Sequence, residues 1–187
     1  MRWLIPLLVF ATGLILGGWA ALNAVPGVIM NKAMPRIAAT TGDGDGAYHA
    51  PRLREDNQTI VRASPDILYS VCVFDVSERP LVIETPWPAD GNYASVSFYD
   101  ARTNNFAVMS DRDAGGAASS RILLQSDGSD AVTPVTLPGY DASHDRLVLA
   151  PTATGLVLYR RVIDAETDMD AVQAERRGFV CTGLSDR

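Results

Sequence analysis

The chain has 187 residues, 47% hydrophobic and 20% charged, with a formal net charge of −6. That is enough for one domain with a real core, in ordinary globular usage. Residues 1 to 42 hold Arg2, Lys32 and Arg36 and no acid, whereas the remainder holds 13 basic against 22 acidic residues. An acidic body repels phosphate backbones, which argues against nucleic acid as a partner.

Trp3 to Leu22 is an unbroken apolar run. About 20 apolar residues suffice for a helix to cross a bilayer core, so residues 1–25 read as a single transmembrane signal anchor. Cleavage is disfavoured because Leu22 sits two positions before Ala24, a poor small-x-small site. The lysine and arginine bias nearly cancels, with Arg2 on one side and Lys32 and Arg36 on the other. The short leading tail and the cysteine usage tip the body outward, which predicts a bacterial inner-membrane protein facing the periplasm. Gly13, Gly17 and Ala21 fall at four-residue spacing. This is either a helix-pairing stripe or ordinary glycine content of a span.

Residues 26–59 read as a juxtamembrane helix and linker. Pro26 and Gly27 are expected to close the span, and Val28 to Ala39 to form a short surface helix with Ile29, Ala33 and Ile37 on one side, a reading weakened by Pro35. Thr40 to Ala47 has linker chemistry. Its Asp-Gly-Asp-Gly stretch lacks the later ligands of a calcium loop, with Arg54 where the glutamate would stand.

Residues 60–187 break into short β-branched and aromatic runs bounded by turn residues, the pattern of an all-β antiparallel sandwich or jelly-roll-like domain. Ile67 to Val76 is apolar on both faces and predicts a central strand. Leu81 to Thr85, Tyr93 to Tyr99 and Phe106 to Ser110 are expected to follow as a meander. Arg121 to Gln125, a weak strand around Val132 to Leu137, Leu147 to Ala150 and Leu156 to Ile163 continue the series. One short C-terminal helix is expected between a Thr167 and Asp170 capping box and a Gly178 C-cap. A closing strand, Phe179 to Thr182, then brings Cys181 back to the sheet.

Lys32 is the only lysine, which removes Schiff-base and P-loop chemistry. The common hydrolase, zinc-protease and Cys-x-x-Cys signatures are absent. His49, His144, Cys72 and Cys181 follow no zinc-finger spacing, so no metal and no cofactor is expected. Two cysteines in a domain placed outside the cytoplasm predict a Cys72–Cys181 disulfide. Asn57-Gln58-Thr59 matches a glycosylation sequon, a triplet that also arises often by chance.

The run Val61-Arg62-Ala63-Ser64-Pro65-Asp66-Ile67-Leu68-Tyr69-Ser70, then Phe74-Asp75-Val76-Ser77, then Tyr99-Asp100-Ala101-Arg102-Thr103-Asn104-Asn105-Phe106, resembles the domain-of-unknown-function family numbered 1254. His49-Ala50-Pro51-Arg52 is similar to that family as well. The resemblance covers roughly residues 48 to 110 and implies no established activity. Many members carry a second β-rich domain, numbered 1214, which this chain is too short to contain. The resemblance therefore implies a companion chain bearing that domain.

Pro65 fixes φ and makes Ser64 extended, so Arg62 and Asp66 lie close enough to pair. The first reading is structural, an ion pair and the Tyr69 hydroxyl tying the linker to the sheet. The second is a ligand site, with Arg62 clamping a carboxylate or sulfate beside Asp66, Tyr69, Asp100 and Asn104. An acid-base mechanism on a glycan would draw its two carboxylates from Asp66 and Asp100. The sequence thus leaves two functions: a membrane-anchored binding or assembly domain, self-associating or with a companion chain, or a glycan-acting hydrolase or lyase.

Overall fold

The structure, a computed structural model, describes residues 3–41, 46–54, 63–127 and 139–184. Arg62, residues 42–45 of the linker, the sequon and the Val132 to Leu137 strand lie outside the described residues.

Helix α1, Leu4–Thr41, runs through both Pro26 and Pro35. It therefore does not stop at Pro26, and anchor and juxtamembrane helix are one element of 38 residues. Each interior proline costs roughly 3 kcal/mol, and packing offsets it. Pro26, Gly27, Met30, Ala33, Met34 and Ile37 recur at three- and four-residue spacing and are the partly or fully buried positions of this half. That stripe lies against strands of the body. Ile29 faces away, contrary to the expected face, and is 54% exposed. The first half, Leu4 to Val25, buries nothing, and the helix is long and apolar enough to cross a membrane.

The body is two sheets. The first contains β1 Ala47–His49, β2 Ile67–Asp75, β4 Ala94–Asp100, β5 Asn105–Ser110 and β8 Thr154–Val162, in the order β1-β2-β8-β4-β5. The second contains β3 Leu81–Pro86, β6 Ser119–Ser126, β7 Arg146–Ala150 and β9 Val180–Gly183, in the order β7-β6-β3-β9. The expected meander is corrected: β3 leaves β2 for the second sheet, and only β4 and β5 form a hairpin in the first. All pairings are antiparallel except β6 with β7, which is parallel. The all-β expectation holds for the body, with one mixed sheet.

Why β2 is apolar on both faces follows from its neighbours. Leu68, Cys72 and Phe74 point into the core, while Tyr69 and Val71 point outward beneath α1. The strand at the centre of this sheet is β8, flanked by β2 and β4. One core joins the two sheets, with Phe74, Val96, Phe98, Val157 and Tyr159 from the first and Ile83, Ile122 and Leu124 from the second. Each such side chain contributes roughly 1.5–3 kcal/mol on burial. Phe74 and Phe98 both meet Phe106, at ring-centroid distances of 6.4 and 6.0 Å. A disulfide links Cys72 in β2 to Cys181 in β9, with Cα atoms 6.6 Å apart.

Helix α2, Met169–Arg176, is the expected C-terminal helix, capped one residue later than read. Asp168 accepts the N–H groups of Asp170 and Ala171 at 3.0 and 3.2 Å. A carboxylate satisfies two otherwise orphan donors at the positive end of the helix dipole. Thr167 instead donates its hydroxyl to Asp164 at 2.7 Å. Gly178 lies one place past the C-cap Arg177 and donates its N–H to the Glu175 carbonyl at 2.9 Å.

Candidate functional site

Of the described polar residues nominated from sequence, Asp100 and Asn104 come together, but Asp66 and Asp100 do not. Asp66 closes onto the end of β8, where the Ile163 N–H donates to its carbonyl at 2.9 Å, while Asp100 pairs with Gly155 at the opposite end of that strand. Eight residues at ~3.3 Å each put them about 25 Å apart along the strand. Glycosidase carboxylates stand roughly 5–9.5 Å apart. The acid-base pair is therefore ruled out by register. Arg62, the proposed clamp, lies outside the described residues.

Each described nominee has a local structural partner. Tyr69 accepts the Ser64 N–H on its hydroxyl at 3.2 Å, tying the segment before β2 to the sheet. Asp100, buried, accepts the N–H groups of Arg102 and Asn104 at 2.8 Å each and the Asn104 side-chain amide at 2.8 Å. Burial pushes its carboxyl up, but these bonds outweigh that and hold its pKa below the ordinary value. An ionised acceptor with three local donors organises the β4–β5 turn and has no proton to give at neutral pH. The turn needs such a brace because Thr103 sits at φ 67°, which costs a non-glycine residue roughly 1–2 kcal/mol.

Two buried polar networks escaped the sequence reading. Arg161 in β8 is fully buried, donates to Asp90 at 2.8 Å and to Glu175 of α2 at 3.0 Å, and thereby ties the β3–β4 connection and α2 to the first sheet. Tyr159 beside it donates to the Pro86 carbonyl at 3.2 Å, and burial pushes its phenol pKa up. Asp145 is the other hub: its carboxylate accepts from the Arg121 side chain and N–H and from the Asp141 N–H, and lies 3.0 Å from His144 Nδ1. Burial raises that carboxyl, yet Arg121 and Asp141 together leave it depressed. The only hint in the sequence was an arginine inside a β-branched run at 161, where a buried strand should be apolar. His49 Nδ1 lies 2.9 Å from Ser70 Oγ on the first sheet, so each histidine has a role of its own and the cysteines bind each other.

The substantial concavity is apolar. Between the second half of α1 and the outward face of β1, β2, β8 and β4 lies a cleft of about 550 Å³ lined by Met30, Ile37, Tyr69, Val71, Tyr99 and Leu158 among others. That is within the ~300–1,000 Å³ of small-molecule sites. Among the described residues, no charged side chain lines it. A smaller cavity of about 220 Å³ between β5 and β7 carries Asp113 and Arg146.

A family model described as protein of unknown function (DUF1254) matches residues 46–183. No curated protein matches the chain. The crystal structure of the VPA0106 protein from Vibrio parahaemolyticus has a similar fold, with TM-score 0.57 and 15% identity over 89% of this chain and 38% of that one. A crystal structure of an uncharacterized protein from Burkholderia cenocepacia aligns with TM-score 0.45 and 15% identity over 73% of this chain and 34% of that one. The chain thus spans little more than a third of either.

Proposed function

This chain belongs to the DUF1254 family, and from that premise we infer that it is a membrane-anchored envelope protein whose body binds or assembles and does not catalyse. One observation carries the reading: the described polar nominees are spread along the sheet and engaged in local structural bonds, whereas a large concavity is apolar and adjoins the apolar helix. Binding by burial suits such a surface, while acid-base chemistry needs convergent polar groups.

In this reading α1 stays uncleaved in the bacterial inner membrane, with the sandwich in the periplasm, where the disulfide is at home. Assembly runs through the span, where a Cβ built on Gly13 or Gly17 meets nothing within 4 Å. The partner is a second copy or a companion chain carrying a 1214-type domain. The test is fractionation followed by protease treatment of spheroplasts and affinity capture from detergent-solubilised membranes. An intact amino terminus, a protease-sensitive body and a specific co-purifying chain are expected. A soluble, truncated product would overturn the anchor, a protease-resistant body the orientation, and recovery of the monomer alone the assembly.

A further inference from the structure

We propose that the cleft between α1 and the outer face of the first sheet takes one hydrocarbon chain of a lipid from the bilayer that α1 crosses. This rests on the membrane-anchor reading above and goes beyond it by naming the occupant.

The position of the cleft along the helix carries the argument. Arg102, in the β4–β5 turn, donates to the Asn23 carbonyl at 3.5 Å, which sets that turn beside the residue directly after the apolar run. Tyr99, next to last in β4, and Thr103 of that turn line the near end of the cleft. At 1.5 Å per residue, Met30 stands about 10 Å and Ile37 about 21 Å further along the helix. Ile37 lines the cleft, and so does Tyr69, which pairs with Arg160 five places up β8 from Gly155, the partner of Asp100. The cleft therefore starts at the level where the span ends and rises away from it. A chain can enter from the hydrocarbon core without crossing much water, while its headgroup stays at the interface beside Arg102, an exposed cation suited to a phosphate.

The lining chemistry fits a hydrocarbon. Val71, Leu156, Leu158, Met30 and Ile37 are apolar, Tyr48, Tyr69 and Tyr99 add aromatic side chains, and Thr103 adds one hydroxyl. Met30, only 3% exposed, contributes a flexible thioether that adapts to variable shapes. Size argues against a partner helix: a helix with side chains is roughly 10–12 Å across, so about 550 Å³ holds little more than one turn. A single acyl chain is far thinner and can thread the full height.

The test uses the full chain in phosphatidylcholine and phosphatidylglycerol vesicles containing trace phosphatidylcholine with a diazirine at one acyl terminus. After irradiation, adducts are mapped by peptide mass spectrometry. Adducts on Tyr69, Leu158 or Ile37, well beyond the span, are expected in addition to those on Leu4 to Leu22. Leu158→Trp, and independently Val71→Trp, should fill the cleft and lower the distal adducts at least fivefold, with adducts in the span unchanged. Adducts confined to the span, distal adducts unaffected by both variants, or a second polypeptide crosslinked at the cleft would each overturn the proposal while leaving the anchor in place. Failure of the chain to float with the vesicles would remove the anchor reading and this one together.

Discussion

Cys72 and Cys181 bind one sheet to the other: the first lies on β2, the second on β9, 109 residues later. Gly46 passes so close that a Cβ there would sit 2.5 Å from the Cys181 carbonyl oxygen, at a φ of +71° that already favours glycine. Closing a loop of that length stabilises by about 4.7 kcal/mol in the chain-entropy model. Reduction should therefore lower the urea midpoint by an amount equal to several kcal/mol, and Cys72→Ala with Cys181→Ala should reproduce it. Thiol counting on denatured, unreduced protein from the envelope is expected to find no free thiol. Two free thiols would contradict the bond and the outward placement of the body together.

Acid should unfold the body in a defined window. The carboxyls of Asp90, Asp100 and Asp145 are each raised by burial and lowered more by their hydrogen bonds, to Arg161, to Asn104 and to Arg121 respectively, so each folded pKa lies below the unfolded one. Between the two values the unfolded chain binds more protons, so stability rises with pH there. The contribution is complete above the unfolded value of about 3.9 and is lost as pH falls through it towards the folded values. Urea midpoints should be flat from pH 7 to 5 and drop below about pH 4. Asp145→Asn should lower the neutral-pH midpoint and flatten the acid limb, and an unchanged limb would contradict the assignment.

Gly155 stands where Phe74 needs room. A Cβ on Gly155 would lie 2.5 Å from Phe74 Cζ and would also run into the Tyr99 carbonyl oxygen, a backbone atom with little freedom to move. Overpacking of this kind costs typically 1–3 kcal/mol. Gly155→Ala should lose at least that much in urea, and Phe74→Leu in the same chain should recover part of it by vacating the ring's space. A double variant no better than the single one would place the strain on the backbone alone.

Strands and the closing disulfide were legible because β-branched and aromatic runs bounded by turn residues, and an even pair of cysteines, leave local marks, as in Ile67 to Val76 and Cys181. What escaped depended on non-local partners. The move of Leu81–Pro86 to the second sheet is set by pairing with β6 and β9, which nothing inside those six residues announces. Pro26 looked like a helix end and Pro35 like a weak point because local cost was visible and the packing of Met30 and Ile37 on the body was not. The Asp100 to Asn104 motif was visible as a motif, but separating a turn brace from a catalytic acid required hydrogen-bond partners. Arg161 and Asp145 are buried because of carboxylates and guanidiniums far away in sequence.

The span offers a test of assembly that leaves the body untouched. Gly13, Gly17 and Ala21 share a face of α1 that none of the described residues of the body covers. Small residues there allow close helix approach. In vesicles, a crosslinker at the amino terminus should trap a dimer or a hetero-pair from native membranes, and Gly17→Leu should reduce its yield severalfold without shifting the urea midpoint of the body. Equal yields from wild type and variant would exclude this face.

Asp100 separates the structural from the catalytic reading most directly. Its Oδ1 accepts two backbone N–H groups and its Oδ2 the Asn104 amide, holding Thr103 in its left-handed conformation. A hydrogen bond to a charged group contributes roughly 1.5–3 kcal/mol net, and water can replace part of it at this turn, so Asp100→Ala should cost about 2–3 kcal/mol. Asp100→Asn keeps an oxygen for the backbone donors but sets an amide against the Asn104 amide. It should cost about 1 kcal/mol, less than alanine. Adding Thr103→Gly to Asp100→Ala should recover stability, because glycine adopts positive φ without the steric penalty that the carboxylate network opposes. A catalytic carboxylate would show no such ordering, with Asn and Ala equally inactive and neither destabilised. Urea midpoints for the four chains decide it, and equal midpoints would remove the brace and return Asp100 to the list of candidate ligands.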